Sequence, residues 1–188
     1  MNMSTERALL ISIAGKDRVG VVSSVTGYLF EIGANLADTA YAVLGEGFEL
    51  SCVADLDNLM TAEELEEGLI ALPALKDTRI NVVNFPFRTQ RDTAGEISHI
   101  LELEGGDRAG LVSRISDLLQ QYDANIVRMN SRIIDGAKGK SQKADQDEGA
   151  YRMRFALNIP ADKVTALDNA VANTAGSMRL RVDLKALV

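Results

Sequence analysis

Two hydrophobic patterns follow one another in the first part of the chain, that of a strand and that of a helix. A mostly apolar run at 8–13 predicts a β-strand, and we expect Gly15 to begin the loop after it. Apolar residues then recur every three or four positions, as expected for one face of a helix, at Val22, Val25, Leu29 and Ile32. Gly33 follows, and we expect it to end this helix, because glycine adopts the left-handed backbone conformation without steric cost.

A hairpin, a second helix and a last strand follow in the pattern. Residues 35–44 and 48–56 predict two strands joined by a glycine-rich turn. Thr61 and Glu64 have the spacing of a capping box, which predicts the start of a helix. Residues 79–85 predict the closing strand. The order βαββαβ is that of a ferredoxin-like α+β fold, a four-stranded antiparallel sheet with both helices on one face.

The same pattern occurs twice. The run Gly15–Ser23 returns as Gly105–Ser113, an offset of 90 residues, with Gly-x-Asp-Arg-x-Gly-(Val/Leu)-Val-Ser in both. The offset holds without a gap through the helix to Asn35, which corresponds to Asn125. A duplicated domain is the simplest explanation, so a site built on this motif should occur in each copy or at a junction between the copies.

We therefore predict two domains, at 7–86 and 96–186, joined by a polar linker at 87–95 that is bounded by proline and glycine. In the second domain Asp123 takes the place of the helix-ending glycine. A polar insertion at 136–148 separates its hairpin strands, and we expect this insertion to be flexible.

Composition and charge narrow the range of functions that the chain could have. The net charge of the 188 residues is −7. Residues 1–86 carry five basic and thirteen acidic side chains, or −8, which argues against binding of nucleic acid through phosphates. No apolar run approaches the ~20 residues that span a bilayer, and the lone Cys52 cannot form an intrachain disulfide. We expect a cytoplasmic protein without a metal or cofactor.

The repeated motif offers chemistry that suits an amino acid. Its turn presents the N–H groups at the start of a helix, where a carboxylate is favoured. The asparagine after the helix supplies both an amide donor and a carbonyl acceptor. The candidate ligand-binding residues are Asp17, Arg18, Gly20, Val21 and Asn35 in the first copy and Asp107, Arg108, Gly110, Leu111 and Asn125 in the second.

Structural roles compete for these residues. Aspartate is a preferred helix N-cap and asparagine a preferred turn residue, so Asp17 and Asn35 have structural alternatives. The motif arginines could be solvated or paired with carboxylates, and Ser23 suits the first turn of a helix. Cys52 is expected to be a core thiol, and His99 to be a strand residue without catalytic partners.

Alternation along the strands predicts two sheet faces of different charge. In the second copy the side chains expected to point away from the helices are Arg128, Asn130, Arg132, Arg152, Arg154, Arg179, Arg181 and Lys185. The first copy offers Glu49, Ser51 and Asp55 instead. We hypothesise that the two faces are complementary, within the chain or between subunits. Tyr151 and Phe155 alternate the other way, so the basic face lacks the aromatic platform of an RNA-binding sheet.

The motif Asp-Arg-x-Gly-(Val/Leu)-Val-Ser after a first strand, with Ala-Asn after the helix, resembles the ACT domain, a small-molecule-sensing regulatory module of amino-acid metabolism. Two such domains together resemble the glycine cleavage system transcriptional repressor family. This resemblance implies a non-enzymatic regulator that binds a small amino acid, with glycine expected first, where ACT domains pair.

The resemblance further implies a protein partner, a DNA-binding activator, so that repression of glycine cleavage genes is indirect. It implies no direct contact with nucleic acid or membrane, and assembly of the chain into a homo-oligomer stays open. The alternatives are a detached regulatory subunit of an amino-acid metabolic enzyme and an ACT interaction module without a ligand. Ligand-induced stabilisation separates the last alternative from the others.

Overall fold

The computed structural model describes residues 7–56, 60–89, 92–106, 110–134 and 150–187. The chain divides into two compact units, Met1–Gln90 and Arg91–Val188, here called unit 1 and unit 2. The predicted insertion at 136–148 and the motif residues Asp107 and Arg108 lie outside the described residues. Within the described ranges, no helix has the length and apolar character needed to cross a membrane.

Unit 1 is a four-stranded antiparallel sheet with two α-helices. Its elements are β1 (Arg7–Lys16), α1 (Val21–Glu31), β2 (Asn35–Leu44), β3 (Gly47–Leu56), α2 (Ala62–Ile70), a 3-10 turn (Pro73–Leu75) and β4 (Arg79–Asn84). The strand order is β2-β3-β1-β4, and each neighbouring pair is antiparallel. The outer strands are therefore β2 and β4.

Local sequence signals begin and end the helices of unit 1. The Thr61 hydroxyl accepts the Glu64 N–H at 3.1 Å, and the Glu64 carboxylate accepts the Thr61 N–H at 2.7 Å, which confirms the capping box of α2. Gly33 follows α1 with a φ of 77°, the left-handed conformation predicted for it.

Unit 2 repeats this architecture. A 3-10 turn (Thr93–Gly95) precedes β5 (His99–Gly106), α3 (Leu111–Gln121), β6 (Asn125–Ile134), β7 (Ala150–Asn158), α4 (Val164–Ser177) and β8 (Arg181–Ala186). The strand order is β6-β7-β5-β8, again antiparallel throughout. The predicted pair of ferredoxin-like α+β domains is confirmed. Asp123 has a φ of 55° and so ends α3 as Gly33 ends α1.

Each unit buries its own apolar core between the helices and one face of the sheet. In unit 1 this core includes Ile11, Ile13, Val25, Leu29, Leu50 and Leu65, and in unit 2 Leu101, Leu103, Ile115, Phe155, Leu167 and Val171. Cys52 is 2% exposed, and burial raises the pKa of its thiol to about 11. The prediction of a core thiol is therefore confirmed.

Two strand predictions need correction. β1 does not end at Ile13, and Gly15 lies inside the strand, opposite Phe48, instead of beginning a loop. A Cβ atom on Gly15 would lie 2.7 Å from the Thr78 Cγ2 atom. The glycine therefore allows the chain that leads into β4 to pass close to β1.

The outward face of the unit 2 sheet, on the side away from the helices, is less basic than predicted. Glu102, Glu104 and Asp183 lie on this face among the basic residues. Arg179 is not part of the alternation, because it precedes β8 in a left-handed conformation with a φ of 56°.

Candidate functional site

The motif of unit 1 begins α1 without a side-chain cap. Gly20 is the N-cap, with a φ of 95° that only glycine adopts without strain. The first helical hydrogen bond runs from the Ser24 N–H to the Gly20 carbonyl at 2.9 Å. The N–H groups of Val21, Val22 and Ser23 precede that bond, so the helix leaves them for an outside acceptor. An anion is favoured at such a helix start.

Asp17 does not cap the helix, so the capping alternative for this residue is wrong. Its carboxylate accepts a hydrogen bond of 2.6 Å from the Tyr41 hydroxyl on β2, and its N–H donates to the Glu46 carbonyl at 2.9 Å. The hydrogen bond to Asp17 raises the pKa of the Tyr41 phenol, and desolvation and the Asp17 charge add to this effect. The motif aspartate is thus held between β2 and the turn that follows it.

The other polar side chains of the motif bond to main-chain carbonyls. Arg18 is exposed and donates from Nη2 to the Lys76 carbonyl at 2.7 Å, so this contact is to the main chain and not to a carboxylate. Ser23 donates to the Gly20 carbonyl at 3.1 Å, which confirms its first-turn role. These bonds fix the turn but leave Asp17 and the helix N–H groups as the chemistry that faces solvent.

An open groove of about 660 Å³ lies beside this turn, between α1 and the edge strand β2. Asp17 and Gly20 line it at the motif turn. Val22 and Val43 line it with apolar surface, and the Tyr41 ring stacks on Phe48 with 5.7 Å between ring centroids. The volume lies in the range of small-molecule sites. An amino acid could place its carboxylate at the helix start and its ammonium group near Asp17.

Asn35 lies at the other end of the sheet. It is the first residue of β2, whereas the groove adjoins the last residues of that strand. The six and eight steps from Asn35 to Tyr41 and Val43, which line the groove, correspond to about 20 and 26 Å at about 3.3 Å each. Within unit 1 the structure therefore separates the two halves of the predicted site. Opposite Asn35 is Asp55, one of whose carboxylate oxygens is buried and has no hydrogen-bond partner among the residues that the structure describes.

Asn125 has a structural contact in unit 2. Its side-chain amide donates to the Ala94 carbonyl at 2.8 Å. Asn158, which pairs with Asn125 across the strands, donates to the carbonyls of Thr93 and Glu96 at 3.0 and 2.9 Å. The asparagine pair therefore fastens the segment before β5 to this end of the sheet. A depression of about 530 Å³ adjoins Asn125 and the last turn of α3.

Comparisons with known proteins agree with the fold of unit 1. A profile of the ACT domain matches residues 7–82. A UPF0237 protein of Streptococcus pneumoniae is 30% identical over 73 residues, which are 39% of this chain and 83% of that protein. The chain belongs to the ACT-domain family.

Unit 2 repeats the fold of the first ACT domain, so the chain is a tandem ACT-domain protein. It is similar to the glycine cleavage system transcriptional repressor of Escherichia coli K12, with 26% identity over 134 residues, 70% of this chain and 68% of that protein. A crystal structure of a candidate glycine cleavage system transcriptional repressor has a TM-score of 0.67 at 15% identity, covering 96% of this chain and 97% of that one. This last likeness shows a shared fold.

The two ACT domains differ at the candidate site. Gly110 begins α3 as Gly20 begins α1, with a φ of 80° and no side-chain cap. Leu111 is the first residue of α3, as Val21 is of α1. The position of Tyr41, however, is taken by Ser131, which is 90 residues later. Sequence reasoning missed Tyr41, although its place on the helix-facing side of an edge strand and its absence from the second copy are visible in the sequence.

Proposed function

We propose that the chain is a non-enzymatic, cytoplasmic regulator whose first ACT domain binds a small amino acid, with glycine as the first candidate. The supporting observation is the groove at the start of α1, which combines the N–H groups that precede the first helical hydrogen bond with the Asp17 carboxylate. The N–H groups can donate hydrogen bonds to the carboxylate of an amino acid, and the Asp17 carboxylate can accept one from its ammonium group.

The regulatory role requires that the ligand binds one state of the protein better than another, since only a difference in affinity shifts an equilibrium. We propose that this state is a complex with a DNA-binding partner, so that repression of glycine cleavage genes is indirect. The similar protein from Escherichia coli, by its name, supports glycine metabolism as the context. The net charge of −7 supports an indirect effect on DNA.

Thermal unfolding in the presence of each of the twenty amino acids, at millimolar concentration, tests ligand binding. A ligand that binds only the native state raises the midpoint, and at a hundred times its Kd it stabilises by about 2.7 kcal/mol. We expect glycine to raise the midpoint and Asp17→Asn to reduce this shift. Asp162→Asn, the same change at an exposed position of unit 2, serves as the control.

Two outcomes contradict the proposal. If no amino acid raises the midpoint, the chain is an interaction module without an amino-acid ligand. If glycine stabilises Asp17→Asn as much as the wild type, the ligand binds away from the groove. Binding of the partner is then tested by co-purification with and without glycine, where a complex insensitive to glycine contradicts the sensing role.

A further inference from the structure

Residues on the outward face of the unit 2 sheet form three rows across its strands. In the strand order β6, β7, β5, β8, the rows are Arg132-Arg152-Glu104-Arg181, Asn130-Arg154-Glu102-Asp183 and Arg128-Ala156-Ile100-Lys185. These rows contain six basic and three acidic side chains, a net charge of 6 − 3 = +3.

The acidic side chains of this face are already paired. The ion pairs are Arg152–Glu104, Arg181–Glu104, Arg154–Glu102 and Lys185–Asp183. Neither Arg128 nor Arg132, both on the edge strand β6, forms an ion pair with any residue that the structure describes. Arg132 moreover lies directly opposite Arg152, and like charges in such a cross-strand pair repel. The β6 side of the face therefore has positive charge that an acidic surface would neutralise.

The equivalent face of unit 1 reverses this charge. In the order β2, β3, β1, β4, its rows are Ala42-Glu49-Ala14-Arg79, Ala40-Ser51-Ser12-Asn81 and Asp38-Val53-Leu10-Val83. Asp38 stands where unit 2 has Arg128, and Glu49 stands where it has Arg152. Most other members of these rows are small or apolar, and Val83 is 41% exposed.

We propose that the outward face of unit 2 docks on the outward face of unit 1 in a second copy of the chain. The arginines of β6 and β7 would then meet Asp38 and Glu49, and Ile100 would lie against the apolar row of the other face. In a two-fold pair this contact forms twice, because each copy supplies both faces, and the assembly closes as a dimer.

The area of these faces is sufficient for a stable dimer. Four strands about 4.8 Å apart, with about six residues of about 3.3 Å each, give a face of roughly 400 Å². Two contacts bury four such faces, about 1,600 Å² in total, which is the standard size of a specific protein interface. A nucleic acid suits the basic face less well, because the aromatic residues of β7 face the helices: Phe155 is buried and Tyr151 packs against the core.

Sedimentation velocity of the full chain, from micromolar to submillimolar concentration, tests the dimer. We expect a reversible species of twice 20.3 kDa that salt weakens. Arg128→Glu with Arg132→Glu should weaken the dimer about tenfold or more. The thermal midpoint of the monomer should not fall, since neither arginine has an ion pair with a residue that the structure describes and Arg132→Glu removes the repulsion from Arg152. The control, Arg114→Glu with Lys163→Glu, makes the same charge change on the helices and should dimerise as the wild type does.

A mixing experiment identifies the partner surface. Asp38→Lys with Glu49→Lys should also be monomeric alone, but an equal mixture with the arginine variant should form a dimer, because both contacts regain opposite charges. A mass of one chain for the wild type at every concentration overturns the proposal. A dimer that survives both pairs of substitutions overturns it too, as does a mixture that stays monomeric.

Discussion

Gly20 and Gly27 lie at the start and in the interior of α1 and have opposite conformational requirements. Gly20 has a φ of 95°, whereas Gly27 is helical, and a Cβ at either position would meet no atom of another described residue within 4 Å beyond its chain neighbours and the helix's own backbone. We expect Gly20→Ala to lower the free energy of unfolding by about 1–2 kcal/mol. Gly27→Ala should raise it by about 0.5–1 kcal/mol. Urea denaturation measures both, and a shared sign would contradict the conformational explanation.

The ionisation of Tyr41 reports whether its hydrogen bond to Asp17 forms in solution. Because Asp17 raises the pKa of this phenol, we expect Tyr41 to ionise above the ordinary value of ~10 in an absorbance titration. The stability that this bond contributes is complete below that ordinary pKa and is lost as the pH rises through the raised one. Asp17→Asn should lower the pKa of Tyr41, and Tyr41→Phe identifies its signal by difference. A titration unchanged by Asp17→Asn would mean that the two side chains do not interact in solution.

At the scale of elements, the sequence predicts the structural features that depend only on residues close together in the chain. The capping box of Thr61 and the left-handed position of Asp123 are local, and both are confirmed. Gly15 was misread as the start of a loop, because the reason for glycine there is Thr78, which is distant in the sequence. The outward position of Glu104 follows from the alternation of β5, but its pairing with Arg152 depends on strand register.

The contact between α1 and α2 depends on Gly68. A Cβ atom there would overlap the Tyr28 hydroxyl, so the ring would have to move. We expect Gly68→Ala to lower the free energy of unfolding by about 1 kcal/mol, the low end for overpacking. With Tyr28→Leu, which introduces the residue of the equivalent position 118, the same change should become neutral or stabilising, because alanine favours helix. A double-mutant cycle by chemical denaturation measures this coupling, and additive effects would contradict it.

At the scale of the whole molecule, the duplication predicts a site in each copy or at a junction between the copies, and the described residues of the two copies differ at Tyr41 and Ser131. The separation of Asn35 from Asp17 could have been anticipated, because a ten-residue strand that begins at Asn35 carries the chain away from it. The hydrogen bond from Asn125 to Ala94 could not have been anticipated, since the segment before β5 has no hydrophobic period that would position it. The difference between Tyr41 and Ser131 is visible in the sequence, but its meaning depends on the contact with Asp17.

This inequality predicts one ligand for each chain. The phenol that holds Asp17 has its counterpart in Ser131, whose side chain is much shorter than that of tyrosine. Calorimetric titration of the full chain with glycine should give a stoichiometry of one, and Tyr41→Ser should abolish binding by making the first ACT domain like the second. Ser131→Tyr is the reciprocal change and should add a second, weaker site. Two equal sites in the wild type would show that the groove binds its ligand without the phenol.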